Sequence, residues 1–263
     1  TTYKDDFIDS DNYHRILFNA GRALQARELT QMQTIIQEEI ARFGRNIFKD
    51  GANVNPGGVT VNTDFEFIKV QADIDSDFAL FDSDGSGNRG AGLLLTGGTS
   101  NIGARVLDFV NADSSDPATI FVQYIDTKDA TTSDTEPKRF IAGEALTGSL
   151  FTGAVQTTDT IADPATGRGT RLSFAKGDFF VRNHFVQAND QSIILSKYTT
   201  NPSKEVGFKL QEQIVTVSDD NALYDNQGTS PNTTAPGADR YRISLTLTDK
   251  ADLDSADSFV YLC

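Results

Sequence analysis

The stretch Arg22-Ala23-Leu24-Gln25-Ala26-Arg27-Glu28-Leu29-Thr30-Gln31-Met32-Gln33-Thr34-Ile35-Ile36-Gln37-Glu38-Glu39-Ile40-Ala41-Arg42-Phe43 decides how the rest of the chain is read. It is rich in Ala, Leu, Gln, Glu and Arg and free of proline and glycine until Gly44, which predicts a helix from Arg22 to about Phe43. Its large apolar residues are Leu29, Met32, Ile36, Ile40 and Phe43, continued by Ile47, with steps of 3, 4, 4, 3 and 4. Such steps gather on one side of a helix as a single apolar stripe. The opposite side carries Gln25, Arg27, Gln31, Gln37, Glu38 and Arg45. An amphipathic helix of this kind either packs on its own domain or bundles with copies of itself around an axis.

Beyond Asp50-Gly51 the texture changes, and Asn55-Pro56-Gly57-Gly58 punctuates the change. Alternating or β-branched runs follow at Val59–Val61, Phe65–Val70, Ile120–Ile125, Phe179–Val186, Ile193–Leu195, Gln213–Val217 and Tyr241–Leu247, separated by Gly, Asp, Asn and Pro clusters. The predicted fold class is α+β, mostly β: an N-terminal long helix followed by a β-rich body. Within that body, Leu95-Thr96-Gly97 with Gly103-Ala104 is echoed by Leu146-Thr147-Gly148 with Gly153-Ala154. This predicts a small inserted β-barrel or sandwich domain of two related halves over residues 91–162. Its flanks, Asp82 to Asn88 and Asp163-Pro164-Ala165-Thr166-Gly167, read as linkers. The expected organisation is a helical head (1–50), a main β-rich domain (51–90 and 163–263) and the insert (91–162). The passage Asp219 to Asp239, containing Ala235-Pro236-Gly237-Ala238, is longer than most connections and is expected to bind or pack against something.

Composition narrows the function. With 37 acidic and 23 basic residues the net charge is -14, so the chain's own field opposes nucleic acid and anionic membrane. No apolar run reaches the roughly 20 residues of a membrane span. The single cysteine, Cys263, excludes an intrachain disulfide. The apolar end Phe259 to Cys263 reads as a strand cut short, as in the first part of a longer chain.

Signs of catalysis are scarce. The two histidines, His14 and His184, lack zinc-site spacing, and no Gly-x-Ser-x-Gly elbow is present. His184 sits in a strand-like run as a satisfied histidine. Gly85-Ser86-Gly87-Asn88-Arg89-Gly90 has dinucleotide glycine spacing, but a strand-like Leu93-Leu94-Leu95 follows where a helix is needed. The acidic turn at Asp82 places Leu93 where a calcium loop requires glutamate. No catalytic residue, cofactor or metal ligand is therefore assigned, and the chain is expected not to be an enzyme; a depolymerase-like use of its many carboxylates ranks last, because no pair of them stands out in an apolar setting.

The run Tyr13 to Gln33, continued by Arg42-Phe43-Gly44 and Ile47-Phe48-Lys49-Asp50-Gly51, resembles the opening of a family of tailed-bacteriophage structural proteins, catalogued largely as a domain of unknown function. Gly177-Asp178-Phe179-Phe180-Val181-Arg182, Val206-Gly207-Phe208 and Ala235 to Tyr241 extend the resemblance into the last third. Members occur near the start of long phage tail proteins, cyanophages included. The resemblance implies a virion component without catalytic residues, located in the tail and assembled in the host cytoplasm. The expected function is the N-terminal module of a tail fibre, or of a fibre adaptor, anchoring it to the baseplate. The expected partners are baseplate proteins, downstream fibre segments and further copies in a homotrimer. Leu29, Met32, Ile36, Ile40 and Phe43 would lie near the trimer axis, and Pro236 and Gly237 would face a baseplate subunit. The alternatives are a host-surface receptor-binding module, which would need exposed aromatic platforms, and another baseplate wedge or connector protein.

Overall fold

A computed structural model describes residues 3–71, 93–113, 116–126, 139–148, 152–155, 163–225, 232–255 and 257–262. The chain is mostly β, with one α-helix, α1 (Ala26–Ile47), among the described residues. It divides into two compact units: Thr1–Gly58 with Phe174–Gln191 and Glu205–Cys263, and Val59–Ser173 with Ser192–Lys204.

The second unit is built on an eight-stranded sheet. Its strands are β2 (Val59–Val70), β3 (Leu94–Gly97), β4 (Gly103–Val110), β5 (Ala118–Asp126), β6 (Ala145–Gly148), β7 (Thr152–Ala154), β8 (Thr166–Phe174) and β11 (Gln191–Ser196), in the order β11-β8-β2-β5-β4-β3-β6-β7. The stretch 91–162 thus supplies β3 to β7, and they are hydrogen-bonded into one sheet with β2, β8 and β11 from outside it. Alternation drives the packing. Ile68, Val70, Ala104, Val106, Ile120 and Val122 point into one core, whereas Phe65, Phe67 and Phe121 form a cluster of their own. Because β2 and β5 bury side chains on both faces, they read in sequence as nearly unbroken apolar runs. Two register shifts in the β4–β5 ladder mark irregularities of the kind that bend a sheet, and the sheet curls until Val155, just past β7, bridges back to Val70.

The internal echo has a structural counterpart. β3 and β6 pair antiparallel with Leu95 opposite Gly148, Thr96 opposite Thr147 and Gly97 opposite Leu146, so the two copies face each other across a local two-fold. Glu144 organises the turns beside them. It is buried and accepts from the Thr99, Ser100 and Ile141 amides at 3.1, 2.9 and 2.6 Å and from Ser100 Oγ at 3.0 Å. The stretch Asp163 to Gly167, expected as a linker, belongs instead to this unit: Asp163 pairs with buried Lys69, Ala165 is buried, and β8 begins at Thr166. The glycine and proline that signalled a linker sit where the chain enters the sheet. The other predicted flank, Asp82 to Asn88, lies outside the described residues.

The first unit holds α1 and three small sheets. β1 (Ala52–Asn55), β9 (Gly177–Val181) and β10 (His184–Ala188) form one, in the order β1-β9-β10. β12 (Val206–Val215) lies between β15 (Arg240–Asp249) and β16 (Ser258–Tyr261) in the second, and β13 (Tyr224–Asp225) pairs with β14 (Asn232–Pro236) in the third. The run Phe179–Val186, expected as one strand, is a hairpin. Arg182 and Asn183 both adopt positive φ, 50° and 63°, and turn the chain in two residues. The Arg182 amide is held by Asp50 Oδ1 at 2.7 Å. Phe174, Phe179 and Phe208 meet edge-on or tilted at 4.9 to 6.0 Å between ring centres, and Phe180, Phe48 and Phe185 form a second aromatic group.

Candidate interface on the helix

The helix starts and ends four residues later than its sequence predicts. Gly21, at φ 81°, turns the chain, and the Glu28 carboxylate accepts from the Gln25 amide at 3.0 Å, so Gln25 caps the helix in an arrangement that tolerates no earlier start. At the other end the helix runs through Gly44 instead of stopping there. A Cβ on Gly44 would stand 2.3 Å from Phe180 Cε2, so this glycine is a close-approach residue and not a terminator.

That contact sets which way the helix faces. Ile35, Ala41 and Gly44 are its buried residues, and Gln31, Thr34, Glu38 and Arg42 are half-buried beside them. At about 100° per residue these positions centre on the side opposite the stripe. The N-terminal segment lies along that polar side. Arg27 pairs with Asp6 at 2.9 Å and Arg42 with Asp9 at 2.6 Å, the Thr34 hydroxyl donates to Asp5, and His14 Nδ1 sits 3.2 Å from Glu39. Each of these exposed pairs is individually weak, but together they hold the arm along one face.

The apolar stripe consequently faces away from the buried side of the helix. Leu29 is 42% exposed, Met32 37%, Ile36 55%, Ile40 49%, Phe43 64% and Ile47 56%. Taken with whole-residue areas, these fractions leave about 640 Å² of large apolar residues in water, at or above the largest patch common on a monomer. Of the two arrangements the periodicity allows, burial of the stripe against its own domain is not seen among the described residues. The patch continues past the helix, for Ile40 shares a shallow cleft with His184 and Phe185, and His184 and Phe185 share another with Tyr241 and Ile243. Phe185 and Tyr241 are 42% and 54% exposed. The Tyr241 hydroxyl donates to Glu212 at 3.0 Å, and burial first, then that bond, raises its pKa.

The structure brings Leu29, Met32, Ile36, Ile40 and Phe43 together on one face. Pro236 and Gly237 stand on a separate element, at the end of β14, where the Gly237 amide donates to the Leu223 carbonyl at 2.7 Å. Both are exposed, and the N-terminal segment reaches their neighbourhood through a hydrogen bond from the Tyr3 hydroxyl to Asp239, which raises the pKa of Tyr3. Phe185 and Tyr241 are additions that strand alternation alone does not reveal. His184 is half-buried with Nδ1–H donating to the Arg182 carbonyl at 2.6 Å, a satisfied histidine.

Among the described residues no group of three or more His, Cys, Asp or Glu side chains is placed to hold a metal ion. Among the described residues no helix is long and apolar enough to cross a membrane. Of the aromatic residues in 91–162, Phe121 and Phe140 are buried and Phe109 and Tyr124 half-buried, while Phe151 lies outside the described residues. The profile of a family described as a domain of unknown function (DUF4815) matches residues 1–74, a span that contains the N-terminal arm, α1, β1 and β2. That description says nothing of the family's biology. No curated protein and no solved structure matches the chain.

Proposed function

We propose that the chain is a non-catalytic structural module of a tailed-phage virion that self-associates through the α1 stripe and anchors a tail fibre, or its adaptor, to the baseplate. The observation that carries this reading is the helix held to its own unit by its polar side, with Leu29, Met32, Ile36, Ile40 and Phe43 in water. Helices that bury their apolar side against their own domain need no partner; this one does. A cyclic trimer, the habit of fibres, covers three such stripes at once around one axis. In this reading residues 1–50 are the attachment head, the curled strands within 91–162 close with β2 as a small barrel that decorates the body, and Pro236 and Gly237 meet a baseplate subunit.

Repetition of a modest interface by symmetry supplies avidity without strong single contacts. Sedimentation equilibrium of the whole chain tests the self-association, with a trimer expected; a monomer at all concentrations up to about 100 μM, where even a weak specific interface of roughly −6 kcal/mol would populate, removes it. Phage particles carrying a deletion of residues 1–50 test the anchoring, with fibreless particles expected and normal fibre incorporation sinking the idea. Receptor binding by the 91–162 strands is disfavoured by the burial of their aromatic side chains, which leaves few platforms for a glycan.

A further inference from the structure

The outer edge of β15, in the first unit, is an open feature made of backbone. In a strand the N–H and C=O of one residue point to the same side, and successive residues alternate between the two sides. Two bonds that continue the ladders fix the sides here. The Lys250 amide donates to the Glu205 carbonyl at 2.8 Å, one step beyond the β12–β15 register. The Leu262 amide donates to the Val206 carbonyl at 3.0 Å, one step beyond the β12–β16 register. The even-numbered residues of β15 therefore bond β12, and Tyr241, Ile243, Leu245 and Leu247 turn their backbone groups outward. Edge strands are commonly blunted by proline, a bulge or short length, whereas β15 keeps its register with β12 from Arg240 to Asp249 without proline, glycine or bulge.

Part of this edge is already filled, and by a stand-in for a strand. The Gln191 side chain donates from Nε2 to the Leu245 carbonyl at 2.9 Å, and its Oε1 accepts from the Leu247 amide at 2.7 Å. Those are the two bonds that a single residue of an added parallel strand would make to the same edge. Beyond the reach of that side chain the edge is open. Among the described residues nothing bonds the backbone N–H or C=O of Tyr241 or Ile243. A shallow cleft of about 280 Å³ lies beside them, with His184 to Gln187 of β10 as its other wall. Tyr241 and Phe185 give it exposed aromatic surface. On the other face of β15, Arg240 and Arg242 are exposed. The Arg240 guanidinium reaches the carbonyls of Ala238 and Asp239, and Arg242 lies beside the neutral Gln213 amide, with Asp219 farther off.

We propose that this edge takes up an extended peptide of another protein, which adds a strand to β15 at Tyr241 and Ile243. Main-chain hydrogen bonds hold such a strand, and its alternate side chains meet the two faces of the sheet. One face here offers Tyr241, Ile243 and Phe185, and the other offers Arg240 and Arg242. The fitting segment therefore alternates apolar residues with acidic ones. Its occupant is a strand because the open groups are a row of backbone donors and acceptors at strand spacing, next to a pair that Gln191 has satisfied in strand fashion. Glu212, on the apolar face, is already matched by Arg182 at 3.2 Å and by the Tyr241 hydroxyl, so its charge does not stand free against the incoming apolar side chains. This inference uses an element other than the helix stripe, and either can fail alone.

The full chain is tested with a fluorescein-labelled octapeptide that alternates glutamate with valine. Fluorescence anisotropy is expected to show saturable binding, and Ile243→Pro to weaken it at least tenfold. That proline removes an outward N–H and no ladder bond, a change that edge strands tolerate. Two N-methylated versions of the peptide separate backbone pairing from apolar contact: methylation of one alternate set of residues abolishes binding, and methylation of the other set spares it. Hydrogen exchange supplies a readout that needs no variant. In the free chain the Tyr241 and Ile243 amides exchange at least tenfold faster than that of Arg242, which bonds β12, and saturating peptide slows both at least tenfold. Absence of binding up to about 1 mM peptide, equal tolerance of both methylation patterns, or amides that stay fast in the bound state overturns the proposal. Protection that appears with chain concentration alone makes a second copy the occupant and overturns it as well, without touching the stripe reading.

Discussion

Two adjacent residues, Ile35 and Ile36, make the orientation of the helix measurable. Ile35 is 5% exposed and Ile36 is 55% exposed, so replacing each by serine perturbs a different equilibrium. Ile35→Ser removes a buried side chain from between α1 and its own unit. By the usual cost of large-to-small core changes it lowers the stability of the folded chain by about 3 kcal/mol, or roughly 6–12 °C in the melting of that unit. Ile36→Ser takes nothing from the isolated chain, and its stability moves by no more than about 0.5 kcal/mol. In the trimer, however, Ile36 loses about 100 Å² of burial, worth about 2 kcal/mol per copy and about 6 kcal/mol per assembly. The association constant falls by roughly four decades, and the concentration at half-assembly rises by about two, because three chains combine. Differential scanning calorimetry below the assembly concentration and sedimentation equilibrium above it separate the two effects. If Ile36→Ser destabilises the dilute chain as much as Ile35→Ser does, or leaves assembly untouched, the outward-facing stripe is wrong.

Three further perturbations address the supports of this arrangement. Gly44→Ala improves helix propensity yet costs about 1–3 kcal/mol by chemical denaturation, because its methyl group collides with the Phe180 ring. Glu144→Ala strands the Thr99, Ser100 and Ile141 amides and costs about 3 kcal/mol or more, with Glu144→Gln recovering part of the loss in the same urea titration. Burial raises the pKa of Asp108, so its charged form is disfavoured in the fold and the stability it withholds at neutral pH returns as pH falls and the carboxyl protonates; Asp108→Asn, which still accepts the Phe109 amide, therefore raises the melting temperature at pH 7 and not at pH 3.

The β-rich texture was legible because alternation and turn residues are local signals. Every predicted strand run overlaps an observed strand, although Phe179–Val186 spans the turn between β9 and β10 and Gln213–Val217 runs two residues past the end of β12, and the echo around Thr96 and Thr147 marks a real pairing of the two copies. What local signals did not carry was sheet membership. The glycines and aspartates flanking residues 91–162 look like boundaries in the sequence, while the sheet's hydrogen bonding joins strands on both sides of them, from β5 to β2 and onward to β8. The Arg182–Asn183 turn escaped for a related reason. Neither residue is glycine, and it is the tertiary bond from the Arg182 amide to Asp50 that helps hold the left-handed backbone.

The candidate interface was half legible, and the missing half explains the rest. Steps of three and four residues announce an apolar stripe, but the same steps serve a helix packed on its own domain and a helix packed on its copies. What separates the two is what the opposite side binds. Here that side is claimed by Asp5, Asp6 and Asp9 reaching Thr34, Arg27 and Arg42, and by the Gly44 contact with Phe180. Each partner is visible in the sequence, yet separations of 21 to 33 residues carry no periodicity that ties them together. Once the polar side is occupied, the stripe has only one direction left to face. The helix is thus turned outward by weak ionic contacts on its far side, and reversing Asp6 and Asp9 to lysine should loosen assembly although neither residue belongs to the stripe, a loss that sedimentation equilibrium reads and that an unchanged association constant would refute.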